Sequence, residues 1–116
     1  MFTINLREKN YNFDFHHDTY NGRIIAITKC ICSIDGFADD KSLRLEIPKN
    51  FHIKPGFGIA KITMAECYFQ DTFVKSVGRK LALKRCLEEL SKDSQLLIGH
   101  LERQQIWNKY LSMVKK

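Results

Sequence analysis

Apolar and polar residues alternate at the start of the chain, and apolar spacing becomes helical in its last third. Phe2, Ile4 and Leu6 alternate with Thr3 and Asn5, and Tyr11, Phe13 and Phe15 alternate with Asn12 and Asp14. Successive side chains on a strand point to opposite faces, so each run predicts a half-buried strand. A Glu8-Lys9-Asn10 connection would pair the two as a hairpin. Asn21-Gly22 predicts a turn, because both residues tolerate positive φ.

Residues 23–34, RIIAITKCICSI, are β-branched and apolar on both sides, as a central strand should be. Ile25, Ile27 and Ile31 fall on one face; Ile24, Ala26, Cys30, Cys32 and Ile34 fall on the other. Asp35-Gly36 ends this strand, and a polar loop follows over residues 38–42. Leu43, Leu45 and Ile47 alternate with Arg44 and Glu46, which predicts a short strand stopped by Pro48. Pro55-Gly56 suits the centre of a type II turn. Residues 58–69 read as the last strand.

Residues 72–90, TFVKSVGRKLALKRCLEEL, contain no proline and are dominated by good helix formers. Asp71 or Thr72 would cap the start. At about 100° per residue the segment shows two apolar faces. Phe73, Val74, Val77 and Leu81 form one; Leu83, Cys86, Leu87 and Leu90 form the other. Two faces predict two packing partners. Gly78 and Ala82, four apart, would let another backbone come close. A final helix is expected over residues 94–114, capped by Asp93 or Ser94, with Leu96, Leu97, His100, Trp107, Leu111 and Val114 on one stripe. Ile106, Tyr110 and Met113 lie off that stripe, and an exposed apolar strip there would be a protein interface. Strands followed by helices predict one α+β domain over residues 1–116: an antiparallel sheet of about four to five strands with two C-terminal helices packed on it.

Composition adds a partner class. The net charge of +6 and pI near 9.2 favour acidic partners, either nucleic acid or an acidic groove on a protein. Lys75, Arg79, Lys80, Lys84 and Arg85 make the long helix basic and are the candidate contacts for such a partner. Glu88 and Glu89 can pair with Lys84 and Arg85 locally, which weakens a phosphate surface. Basic residues also stand beside aromatics at Lys54 and Phe57, Lys61 and Tyr68, and Lys109 and Tyr110, a combination that suits RNA or DNA. No named nucleic-acid module fits the order of elements. The amino terminus has no signal-peptide pattern and no run reaches transmembrane length, so a cytoplasmic location without membrane contact is expected. Cys30, Cys32, Cys67 and Cys86 are then expected to be reduced thiols.

The cysteines lack a C-x-x-C pair, so no metal is expected and buried thiols are the better account. His16-His17-Asp18 falls between two turn signals and reads as a solvated loop. His100, on the apolar stripe, reads as a core or interface histidine. Neither a phosphate-binding loop nor a nucleophile–base signature is present. The sequence therefore predicts no enzyme and no cofactor.

One pattern carries a resemblance. A strand ending in Cys67, a polar turn at Asp71, then Phe73, Gly78, Arg79, Lys80, Ala82, Leu83, Arg85, Cys86 and Leu87 form Phe-x-x-x-x-Gly-Arg-Lys-x-Ala-Leu-x-Arg-Cys-Leu. Over residues 59–90 this resembles a loose group of small, mostly uncharacterised bacteriophage and mobile-element proteins. The group has no agreed activity, so it assigns no residue a role. It implies a phage accessory protein, of a class whose known members often block host defence or bind nucleic acid. The expected function is a non-catalytic, anti-CRISPR-like inhibitor, monomeric or homodimeric, that binds a host protein or nucleoprotein defence complex. Direct nucleic-acid binding through the basic helix is the alternative.

Overall fold

A computed structural model describes residues 1–20, 25–39, 41–49, 51–68 and 75–114. Four strands form one antiparallel sheet in chain order: β1 (Phe2–Leu6), β2 (Lys9–Tyr20), β3 (Ile25–Asp35) and β4 (Phe57–Tyr68). A single-turn helix, α1 (Lys41–Arg44), interrupts the β3–β4 connection, and α2 (Lys75–Lys92) and α3 (His100–Val114) follow the sheet. The α+β order expected from the pattern is the order observed. No described helix is long and apolar enough to cross a membrane.

The first hairpin is tighter than its sequence suggests. Leu6 pairs with Lys9, so Arg7 and Glu8 alone form the turn, at φ of 52° and 68°. Positive φ at both central positions matches the twist of the flanking strands. It also strains two residues that carry a Cβ. Arg7 gains in return. Its guanidinium donates to the carbonyls of Leu96 at 3.1 Å and Leu97 at 3.0 Å and pairs with Glu102, tying the hairpin to the α2–α3 connection. The Asn21-Gly22 turn lies outside the described residues. Pro55-Gly56 forms its expected turn: Gly56 sits at φ 83° and the Phe57 N–H reaches the Lys54 carbonyl at 3.1 Å.

Alternation gives the sheet two different faces. Phe2, Phe13, Cys30, Cys32, Ile34 and Ala65 belong to the apolar cluster that meets the helices. Ile31, Ile59, Asn12, Asp14 and Ser33 are buried on the other side. Described parts of the β3–β4 connection reach over that second side. Gly36 N–H donates to the Gly56 carbonyl at 2.9 Å, closing the base of the loop. Lys29 Nζ reaches the Glu46 carbonyl at 2.9 Å, and Lys54 Nζ reaches Thr3 Oγ1 at 2.9 Å on the far strand.

The strand expected at Leu43, Leu45 and Ile47 does not form. The chain just before it is pinned beside β4: Asp39 Oδ1 accepts the Ile59 N–H at 2.8 Å. A Cβ on Gly58 would lie 2.0 Å from the Phe37 carbonyl oxygen, so this approach requires glycine. Residues 43–47 do not pair with that edge. They form α1 and the turns after it, and Leu45 is exposed.

α2 buries Ala82, Leu83, Cys86, Leu87 and Leu90 against β3 and β4, which is the second of its two predicted apolar faces. Thr63 Oγ1 donates to the Ala82 carbonyl at 2.8 Å, fixing the helix to β4. The first predicted face is divided where it is described: Leu81 is half-buried and packs against the core, while Val77 is 62% exposed. Phe73, Val74 and the predicted caps Asp71 and Thr72 lie outside the described residues.

α3 starts later than predicted and is turned. Asp93 Oδ1 caps a separate turn by accepting the Gln95 N–H at 2.8 Å and the Leu96 N–H at 3.3 Å. Leu97 at φ 45° breaks that turn. Gly99 is the true N-cap: its carbonyl accepts the Arg103 N–H at 3.0 Å, and Glu102 reaches back to its N–H at 3.1 Å. The helix buries Ile106 and Tyr110, while Leu97, His100, Leu111 and Val114 of the expected stripe are exposed and Trp107 is half-buried. His100 is therefore not a core residue. Tyr110 sets this rotation, with its ring 6.0 Å from Phe2, 5.7 Å from Phe15 and 6.0 Å from Trp107, centroid to centroid.

Candidate functional site

The five basic residues of α2 diverge. Arg79 turns toward β2, its Nη1 3.5 Å from His17 Nε2. Arg85 turns toward β4 and donates to the Met64 carbonyl at 2.6 Å. Lys80 and Lys84 are exposed on the outer surface, next to Glu88 and Glu89. Of Lys75 only the backbone is described. Among the described side chains, Lys80 and Lys84 share an outer face while Arg79 and Arg85 turn toward the sheet. The second predicted surface fails for a different reason. Ile106 is 0% and Tyr110 2% exposed, so both are core residues, and Met113 alone of that trio reaches solvent. A helix with apolar residues over more than half its circumference has several candidate stripes, and tertiary packing chose this one.

Two of the aromatic–basic pairs are also spent internally. Lys54 lies 5.7 Å above the Phe57 ring, a cation–π contact, while its ammonium holds Thr3. Lys61 pairs with Asp93 at 3.3 Å. Burial works to raise the Asp93 carboxyl, but the Gln95 N–H and the Lys61 ammonium together hold it below its ordinary 3.8. That pair joins β4 to the end of α2.

Three thiols do converge. Cys30 and Cys32 on β3 lie with Cys86 of α2 in the core, and all three are fully buried. Burial pushes the Cys30 and Cys32 thiols well up, which keeps them protonated and unreactive. Among the described residues no group of three or more His, Cys, Asp or Glu could hold a metal ion. The His16-His17-Asp18 run is strand rather than solvated loop. Adjacent side chains diverge as expected on extended backbone, and His17 turns to the helix side, where its Nδ1 lies 2.8 Å from Thr28 Oγ1.

One open feature was not read from the sequence. A trough of about 1020 Å³ is lined by Ile59 to Thr63 of the edge strand β4 and reaches Lys9 of β2. Phe37, Ala38, Asp39 and Leu43 form one wall, and Glu89, Asp93, Gln95 and Leu96 form the other. Asp39 blocks the edge at Ile59 and Arg85 blocks it at Met64, so the unblocked backbone lies between them. Among the described residues no strand pairs with β4 on this side. The sequence could have signalled the edge only through strand order, which local patterning does not contain. No protein-family model, curated protein or solved structure matches this chain.

Proposed function

We infer that this chain is a non-catalytic binding protein that grips an extended segment of a partner protein along the β4 edge. In the setting its sequence resemblance implies, it is a phage or mobile-element accessory protein. Its partner then belongs to a host nucleoprotein defence complex of the CRISPR-effector kind, which docking blocks. The observation that supports this reading is the walled trough over unblocked strand backbone. An added strand gains main-chain hydrogen bonds from an edge and specificity from pockets at alternate side chains. Exposed edges are normally blunted along their length. Here the blunting residues sit at the two ends of the trough and leave its middle open.

The test fills the trough without touching the core. Ala38 and Gln95 are exposed on opposite walls, so Ala38→Trp and Gln95→Trp should fold normally. Both should lower binding to a purified host defence complex, and its inhibition, at least tenfold. Inhibition unchanged by both substitutions would overturn the assignment to β4. Binding lost in the Lys80→Glu, Lys84→Glu double variant instead, with steep salt dependence, would select nucleic acid as the partner.

A further inference from the structure

Arg79 and His17 occupy one end of a second cavity, remote from the β4 trough. It lies between the start of α2 and the end of α3 and has a volume of about 320 Å³. That is at the small end of the roughly 300–1,000 Å³ range of small-molecule sites. Phe2, Phe15, Tyr110 and Met113 supply apolar walls, and Val114 and Met1 stand with them. No carboxylate lines it among the described residues.

Two polar side chains, His17 and Arg79, converge on this apolar chamber. Thr28 Oγ1, fully buried, holds the His17 ring at 2.8 Å and so fixes its orientation. Arg79 is half-buried and makes one long contact, 3.5 Å to His17 Nε2. A guanidinium carries five donors, so most of its capacity is unused among the described residues. Tyr110, itself 2% exposed, has a hydroxyl that is buried without a hydrogen-bond partner among them. An underused, partly desolvated cation gains from an acceptor placed in the cavity.

We propose that this cavity binds a small monoanionic amphiphile, a carboxylate on an aliphatic or aryl body. The carboxylate meets Arg79 at the polar end, and the apolar body lies among Phe2, Phe15 and Met113. One guanidinium beside one imidazole, among apolar walls, matches a single negative charge. A polyphosphate would leave charge buried and unpaired against these walls.

Decanoate and decanol test the charge and the body separately, by calorimetric titration of the full chain. Decanoate should bind at one per chain and more tightly than decanol. Arg79→Gln should weaken decanoate at least tenfold and leave decanol unchanged, while Arg79→Lys should restore part of the loss. Met113→Trp fills the chamber from a partly exposed position and should weaken both ligands. Decanoate binding that ignores Arg79→Gln would overturn the proposal, as would absence of decanoate binding up to its solubility limit. If Arg79→Gln fails to fold, Met113→Trp decides: undiminished decanoate binding in that variant is equally fatal. None of these outcomes depends on the β4 trough, so the two readings fail independently.

Discussion

α2 and α3 lie on the same face of the sheet, yet they are held by different logic. α2 sits over the inner strand β3 and its neighbour β4, and its Leu83, Cys86, Leu87 and Leu90 meet a flat layer of small side chains that includes Cys30, Cys32 and Ala65. α3 sits over the edge strand β1, and its orientation follows one aromatic contact set around Tyr110. A helix over a broad, evenly apolar surface is placed by its own best stripe. A helix at an edge is placed by whichever side chain finds the deepest partner. Two further devices compensate for the narrower support of α3: the Gly99–Glu102 cap and the Arg7 clamp.

The largest effect should come from α2. Leu83→Ala removes a fully buried side chain and should cost about 3 kcal/mol, whereas Val77→Ala on the exposed side should cost less than about 0.5 kcal/mol. Urea unfolding of the two variants measures the contrast, and equal losses would mean that Val77 also packs.

Next comes the rotation of α3. Ile106→Ala should cost about 2–3 kcal/mol and Leu111→Ala less than about 1 kcal/mol, since Leu111 is 37% exposed. The reverse order in thermal melts would restore the stripe suggested by the sequence.

Arg7→Ala should cost about 1 kcal/mol by releasing the Leu96 and Leu97 carbonyls and Glu102. Hydrogen exchange should show the loss concentrated at the start of α3, with α2 amides little affected. Uniform acceleration across both helices would remove the distinction drawn between them.

Asp14 sharpens the contrast from the opposite side of the sheet. Burial raises its carboxyl above the ordinary 3.8, outweighing the hydrogen bond from Asn12 at 2.6 Å, and its Oδ1 is buried without a partner among the described residues. A carboxyl raised in the folded state holds its proton longer than in the unfolded chain. Its contribution to stability is therefore full below 3.8 and is lost as pH rises through the folded value. Asp14→Asn should flatten that decline in unfolding titrations from pH 3.8 upward. An unchanged pH profile would mean that Asp14 ionises freely.

The smallest effect is expected at Tyr110→Phe. The hydroxyl has no partner among the described residues, so its removal should change stability by less than about 0.5 kcal/mol in the ligand-free protein. A large loss would show that the tyrosine is anchored by its oxygen and not by its ring.

Much of this architecture is written locally. Period-two alternation marks β1 and the start of β2, the β-branched run of residues 23–34 marks an inner strand, and Pro55-Gly56 marks its turn. The buried face of α2 follows from Leu83, Cys86, Leu87 and Leu90 at helical spacing. These features were legible because each depends on neighbours within a few residues, where side-chain direction is fixed by the backbone repeat. The rotation of α3, the inward turn of His17 and the failure of residues 43–47 to form a strand were decided by partners far along the chain. Tyr110 needed Phe2 and Phe15, His17 needed Thr28, and residues 43–47 do not pair with the β4 edge. Both cavities belong to this second category. A trough along β4 and a chamber between two helices are spaces between elements, and a sequence pattern specifies the elements while packing alone specifies what lies between them.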